Sequence, residues 1–169
     1  MTLLIKAIEK ISQIMYSFGG MFLISMLLIT VLDILTRGIF TITDGNLDFT
    51  FIGGIEIVQY SLLLTVLLIL PYSVKRSQVI VDLFTDRLKQ QTKQVLEGIY
   101  LLSFALMGVG MSYGYYHLCL EASETYETSL DLLIPLTYFY AIACFATAML
   151  AISAATHSFQ ILFLEKAKL

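Results

Sequence analysis

Four stretches of the chain contain no Asp, Glu, Lys or Arg: Ile11 to Leu32, Ile57 to Val74, Gly98 to Leu120 and Leu132 to Leu164, of 22, 18, 23 and 33 residues. About 20 apolar residues in helical form cross the hydrocarbon of a bilayer, where a backbone must satisfy its own polar groups. Each stretch therefore reads as a membrane-spanning helix. Composition agrees, because 58% hydrophobic against 14% charged residues is too apolar for an ordinary water-soluble domain. The expected fold is an all-α membrane protein with spans at approximately 11–36, 52–74, 95–120 and 132–164. No Pro-rich or Gly/Ser-rich linker and no repeat divides it, so residues 1–169 are expected to form a single integral-membrane helical domain. Glu9 soon after Lys6, a long first apolar run and the lack of a small-residue cleavage site argue against a signal peptide. The first span is expected to stay in the mature protein.

The cations fix an orientation. Lys6 and Lys10 precede the first span, Arg37 follows it, five Lys and Arg lie between the second and third, none between the third and fourth, and Lys166 and Lys168 close the chain. Alternation of this kind places both termini and the middle loop in the cytoplasm. The outer loops are acidic, with Asp44 and Asp48 in the first and Glu121, Glu124, Glu127 and Asp131 in the second. The net charge of −3 conceals this polarity. With no Trp in the chain, Tyr72, Tyr113, Tyr115, Tyr116, Tyr138 and Tyr140 fall toward span ends, where a ring with a polar tip anchors at the headgroups.

The stretch "PYSVKRSQVIVD" (71–82) marks the inner boundary of the second span. Pro71 falls near its end, and Lys75, Arg76 and Asp82 are candidates for the cytoplasmic interface. Beyond them Ile80, Leu83, Phe84 and Leu88 recur at helical spacing, which predicts an amphipathic segment along the inner surface. Leu4, Ala7, Ile8 and Ile11 form a similar stripe, and the N-terminus reads equally as an interfacial helix or as the start of the first span.

Little in the sequence suggests chemistry. Membrane cytochromes hold haem between paired histidines. Here His117 lies near the outer end of the third span, and His157 lies 26 residues past Asp131, roughly 39 Å down the fourth. One haem cannot reach both, so a haem-binding respiratory anchor is disfavoured. Cys119 and Cys144 differ too much in depth for a disulfide. A small self-contained exporter would require an acid or a broken helix at the membrane midplane, and every acid lies outside the charge-free runs. No catalytic, metal or cofactor residues are expected. Gly108, Gly110 and Gly114 suit close helix packing, within the chain or against a partner subunit. Asp33 and Arg37, at i and i+4 near the outer end of the first span, and Glu56, at the outer start of the second, are expected to meet at one level. On that reading Arg37→Ala strands a carboxylate and weakens assembly, and Glu56→Gln is the milder change.

"VLDILTRGIF" (31–40), "EIVQY" (56–60) and "PYSVKRSQVIVD" together resemble the small membrane subunit of TRAP transporters, the DctQ-like component. Arg37, Phe40, Glu56, Tyr60, Arg76, Val81 and Asp82 match that pattern in order. The chain departs from it where "GGIE" lacks the usual Trp, and at Gln59 and Gln78, where Arg and His are common. The resemblance implies a non-enzymatic subunit of a sodium-driven, binding-protein-dependent importer of organic acids, sialic acid or a C4-dicarboxylate, in a bacterial inner membrane. Its implied partners are a large membrane subunit, which would carry the sodium coupling, and a periplasmic substrate-binding protein. No nucleic acid is implied. The acidic residues Asp44, Asp48, Glu121, Glu124, Glu127 and Asp131 are then candidates for docking the binding protein.

The charge pattern predicts that single cysteines placed near Lys89 or Lys168 label only from the cytoplasm, and those near Asp48 or Ser123 only from outside. External labelling at Lys89 would overturn this orientation.

Overall fold

A computed structural model describes residues 2–43, 53–76 and 90–165. It is all-α and consists of four long apolar helices: α1 (Thr2–Ile42), α2 (Gly54–Arg76), α3 (Gln90–Thr125) and α4 (Leu136–Phe159). A π-helical turn, Gln160–Glu165, continues directly from α4. The predicted amphipathic segment around Ile80 to Leu88, with Asp82, lies outside the described residues, as do Asp44 and Asp48.

Three of the helices, α1, α2 and α3, outrun their charge-free stretches, whereas α4 lies within its own. At 1.5 Å per residue the 41 residues of α1 extend about 61 Å, twice the hydrocarbon thickness of about 30 Å. The N-terminal stripe is thus the first part of α1 and not a separate interfacial helix. Ile8 from that stripe packs against the same core as Met15 and Phe22.

Packing proceeds in a row. α1 lies on α2, α2 on α4, and α4 on α3, with only a slight contact between α1 and α4. α4 is therefore the central element: 44% of its most apolar stretch is buried, against 6% for α1 at one edge. One core cluster joins Met15, Leu64, Leu67, Leu68, Ala143, Ala146 and Met149; a second joins Val74, Leu101, Ala105, Leu150, Ala154 and Ile161. The fully buried alanines of α4 reflect a rule of membrane interiors. Lipid is as apolar as leucine, so helices associate through close approach of small residues and through polar ties.

Both devices are present. A Cβ on Gly108 would come within 2.8 Å of the Ala151 backbone nitrogen, so that glycine lets α3 and α4 touch main chain to main chain. Among the described residues, no atom lies within 4 Å of the equivalent position on Gly110 or Gly114, outside their own helix backbone. Pro71 is fully buried and lies inside α2, which continues to Arg76. Its carbonyl accepts the Ser153 hydroxyl of α4 at 3.0 Å. Ser158 donates likewise to the Gly98 carbonyl of α3 at 2.9 Å, and Leu162 of the π-helical turn covers the same glycine.

Gly108→Val is expected to destabilise the chain by about 1–3 kcal/mol, the usual cost of overfilling a packed contact. Gly110→Val should change the melting temperature of the isolated chain little. Thermal unfolding in detergent compares the two.

Candidate functional site

Among the described residues, the end of the bundle where α2 and α4 begin holds the most developed polar structure. α2 begins with Gly54 and carries Glu56 in its first turn, where a carboxylate also meets the positive end of the helix dipole. The side chain is buried, at 7% exposure. It accepts three hydrogen bonds from consecutive backbone amides of the loop between α3 and α4: Leu130 N–H to Oε1 at 2.9 Å, and Asp131 and Leu132 N–H to Oε2 at 3.0 and 2.9 Å. Charge-assisted bonds of this kind are shorter and stronger than neutral ones.

The loop is shaped to present those amides. Ser129 N–H bonds the Ile134 carbonyl at 2.9 Å, Ile134 N–H returns to the Ser129 hydroxyl at 3.2 Å, and Leu136 N–H at the start of α4 bonds the Glu127 carbonyl at 3.0 Å. Tyr126 and Leu133, both at φ 54°, occupy the left-handed region that bulky residues rarely adopt. Beneath the loop, Gly53 adopts φ 92°, and a Cβ there would lie 2.9 Å from the Leu132 side chain. Glycine is required on both counts. The α3–α4 hairpin is thus drawn across the end of α2.

This arrangement corrects the expected three-residue cluster. Arg37 Nε pairs with Asp33 Oδ2 at 2.9 Å within α1, and Glu56 belongs to neither. The reason is competition: three converging N–H groups occupy both oxygens of Glu56, while Arg37 remains half exposed on α1. Asp33 Oδ1 is buried without a hydrogen-bond partner among the described residues.

Glu121, Glu124, Glu127 and Asp131 are all exposed, and of the four only Asp131 reaches Glu56, through its backbone. Lys75 and Arg76 form the last residues of α2. Of the three glycines, Gly108 alone packs within the chain. His117 sits on α3 against the rings of Tyr113 and Tyr116, at centroid distances of 4.5 and 6.0 Å. His157 Nδ1 lies 3.2 Å from Gln160 Oε1 at the other end of α4. Cys119 and Cys144 are free thiols; Cys144 bonds the Ser112 carbonyl at 3.5 Å, and Cys119 bonds the Thr137 carbonyl at 3.7 Å.

Sequence reasoning missed the partners of Glu56 and the roles of Gly53 and Ser129. One signal was available. A lone acid opens an apolar span, with no cation on its own helix until Lys75.

The family profile described as tripartite ATP-independent periplasmic transporters, DctQ component, matches residues 26–164, from the middle of α1 through α4. The chain belongs to the DctQ family. It is thus a transporter component and a multi-pass membrane protein, and membership implies a large membrane subunit and a substrate-binding protein as companions. Among curated proteins and among solved structures, no significant match is found. Within this DctQ chain, the Glu56 latch and its loop fall inside the matched region.

The geometry reverses the expected order of two substitutions. Glu56→Gln replaces one acceptor oxygen by an NH2 group facing backbone donors, and is expected to cost about 1.5–3 kcal/mol. Arg37→Ala removes a pair within one helix whose cation is half exposed, and should cost about 1 kcal/mol or less. Thermal unfolding ranks them. Hydrogen exchange at Leu130, Asp131 and Leu132 should accelerate in Glu56→Gln alone.

Proposed function

We propose that the chain is the small membrane subunit of a sodium-driven, binding-protein-dependent importer of organic acids, and that it acts as a rigid scaffold for the large transport subunit. On this reading it resides in a bacterial inner membrane with both termini cytoplasmic, as the alternation of Lys and Arg suggests. Substrate and sodium bind in the large subunit, and the acidic outer loop contributes to docking of the binding protein. The substrate is of the sialic acid or C4-dicarboxylate class.

The observation that most supports a static role is the Glu56 latch. A loop held by three bonds to a buried carboxylate on a neighbouring helix costs little further ordering when a partner arrives. The interior offers no competing role. Among the described residues, no Asp, Glu, Lys or Arg interrupts the middle of a span, and the hydroxyls of Ser153 and Ser158 there tie helix to helix.

In proteoliposomes, the chain alone should import no solute. Uptake is expected only with the large subunit, a sodium gradient and the binding protein together. Sodium-driven uptake by the lone chain would overturn the scaffold reading.

A further inference from the structure

α1 and α4 both pack on α2, yet they touch each other only slightly, and between them runs a groove of about 350 Å³. Ile11, Ile14, Phe18 and Phe22 of α1 line it together with Leu68 of α2 and Phe145 of α4. Among the described residues, no charged, hydroxyl or amide side chain borders it. Ile14, Phe18 and Phe145 are 49, 53 and 55% exposed, so the chain leaves much of this apolar surface bare.

Length and position narrow the occupant. From Ile11 to Phe22 the groove rises about 16 Å at 1.5 Å per residue, close to half the hydrocarbon thickness of about 30 Å. It starts at the first residue of a charge-free run. The groove thus takes up the depth of one leaflet, from the headgroup boundary to the midplane. A helix about 10 Å across would fill roughly 1,300 Å³ over that length. The groove is too slender for a partner's helix and suits a single hydrocarbon chain. Beyond its end, Lys6, Lys10 and Ile14 follow one another at i, i+4 and i+8, so two exposed ammonium groups continue the wall toward the N-terminus. Helical side chains lean toward the N-terminal end of their helix, which carries both cations further out to the headgroups. Glu9 lies about 100° around the helix from Lys10.

We infer that the groove between α1 and α4 holds one acyl chain of an anionic phospholipid whose phosphate meets Lys10, with Lys6 beside it. The inference adds a ligand to the scaffold reading above and rests on that reading only in calling this leaflet cytoplasmic. The chain covers side chains that the slight contact of α1 with α4 leaves open, and joins the edge helix to the central one through dispersion contacts. The two cations select the charge of the headgroup.

Native mass spectrometry of the full chain, delipidated in detergent and titrated with phosphatidylglycerol, reads the Kd of the first lipid bound. Lys10→Gln should raise it about fivefold, whereas Lys168→Gln, which removes the same charge at the other end of the sequence, should change it less than twofold. Ile14→Trp fills the groove and should abolish the tight event. Leu28→Trp, at a similarly exposed α1 position outside the groove, should not. Ile142→Trp repeats the test from α4 if Ile14→Trp lowers the melting temperature. Phosphatidylcholine should bind the parent several-fold more weakly and be indifferent to Lys10→Gln, and dihexanoyl phosphatidylglycerol, whose chains are too short to fill the groove, should fail to compete. An equal loss in Lys10→Gln and Lys168→Gln would mean diffuse attraction, and unchanged binding in both Trp variants would mean that no chain enters the groove; either overturns the inference. So would lipid that is no longer retained in the intact complex, which would give the groove to the large subunit, or a dimer that Ile14→Trp disperses, which would give it to a second copy. None of these results concerns uptake by the lone chain, so the scaffold reading stands or falls by its own test.

Discussion

A buried carboxylate facing three backbone amides organises the end of this protein where α2 and α4 begin. A loop that crosses the end of a membrane helix brings N–H groups into a place where no strand or helix supplies acceptors. Glu56 provides two oxygens at that place, and Leu130, Asp131 and Leu132 converge on them. The bond set ties the second helix to the hairpin of the third and fourth, through a contact that lipid cannot replace. Gly53 below and Ser129 within the loop serve the same junction, one by making room for Leu132 and the other by closing the turn.

Deeper in the membrane the chain depends on proximity. Gly108 against Ala151, the alanines of α4, and the hydroxyls of Ser153 and Ser158 on neighbouring carbonyls form a continuous seam along the central helix. The edges differ. α1 buries little of itself within the chain, and among the described residues no atom approaches within 4 Å of a Cβ placed on Gly110 or Gly114 of α3. A subunit whose interior is knitted through α4 and whose outer helices remain open suits a component of a larger membrane assembly, the setting that DctQ membership implies.

Much of this architecture was legible in the sequence. Charge-free runs gave four spans because ionised groups are excluded from hydrocarbon, a constraint strong enough to survive any detail of packing. The acids of the loop between α3 and α4 were legible as exposed for the same reason. The partner of Glu56 was not, because a backbone N–H leaves no mark in a sequence; pairing the acid with the visible cation Arg37 followed the only charges on view. The glycines of α3 show the same limit. Their spacing shows that a helix face is flat, but only the position of α4 decides that Gly108 faces it and Gly110 and Gly114 do not. The N-terminal stripe was ambiguous because an amphipathic pattern is common to surface helices and to the exposed end of a long one.

The length of α1 carries a mechanical consequence. Even tilted by 40°, the upper end of the common range, a rod of about 61 Å rises about 47 Å along the membrane normal, more than the hydrocarbon holds. Its two ends therefore stand in the headgroup layers or the water on opposite sides, joined by unbroken backbone. Whatever meets the chain at the Thr2 end and whatever meets it at the Asp33 to Ile42 end are thus joined through one continuous helix, without any hinge in between.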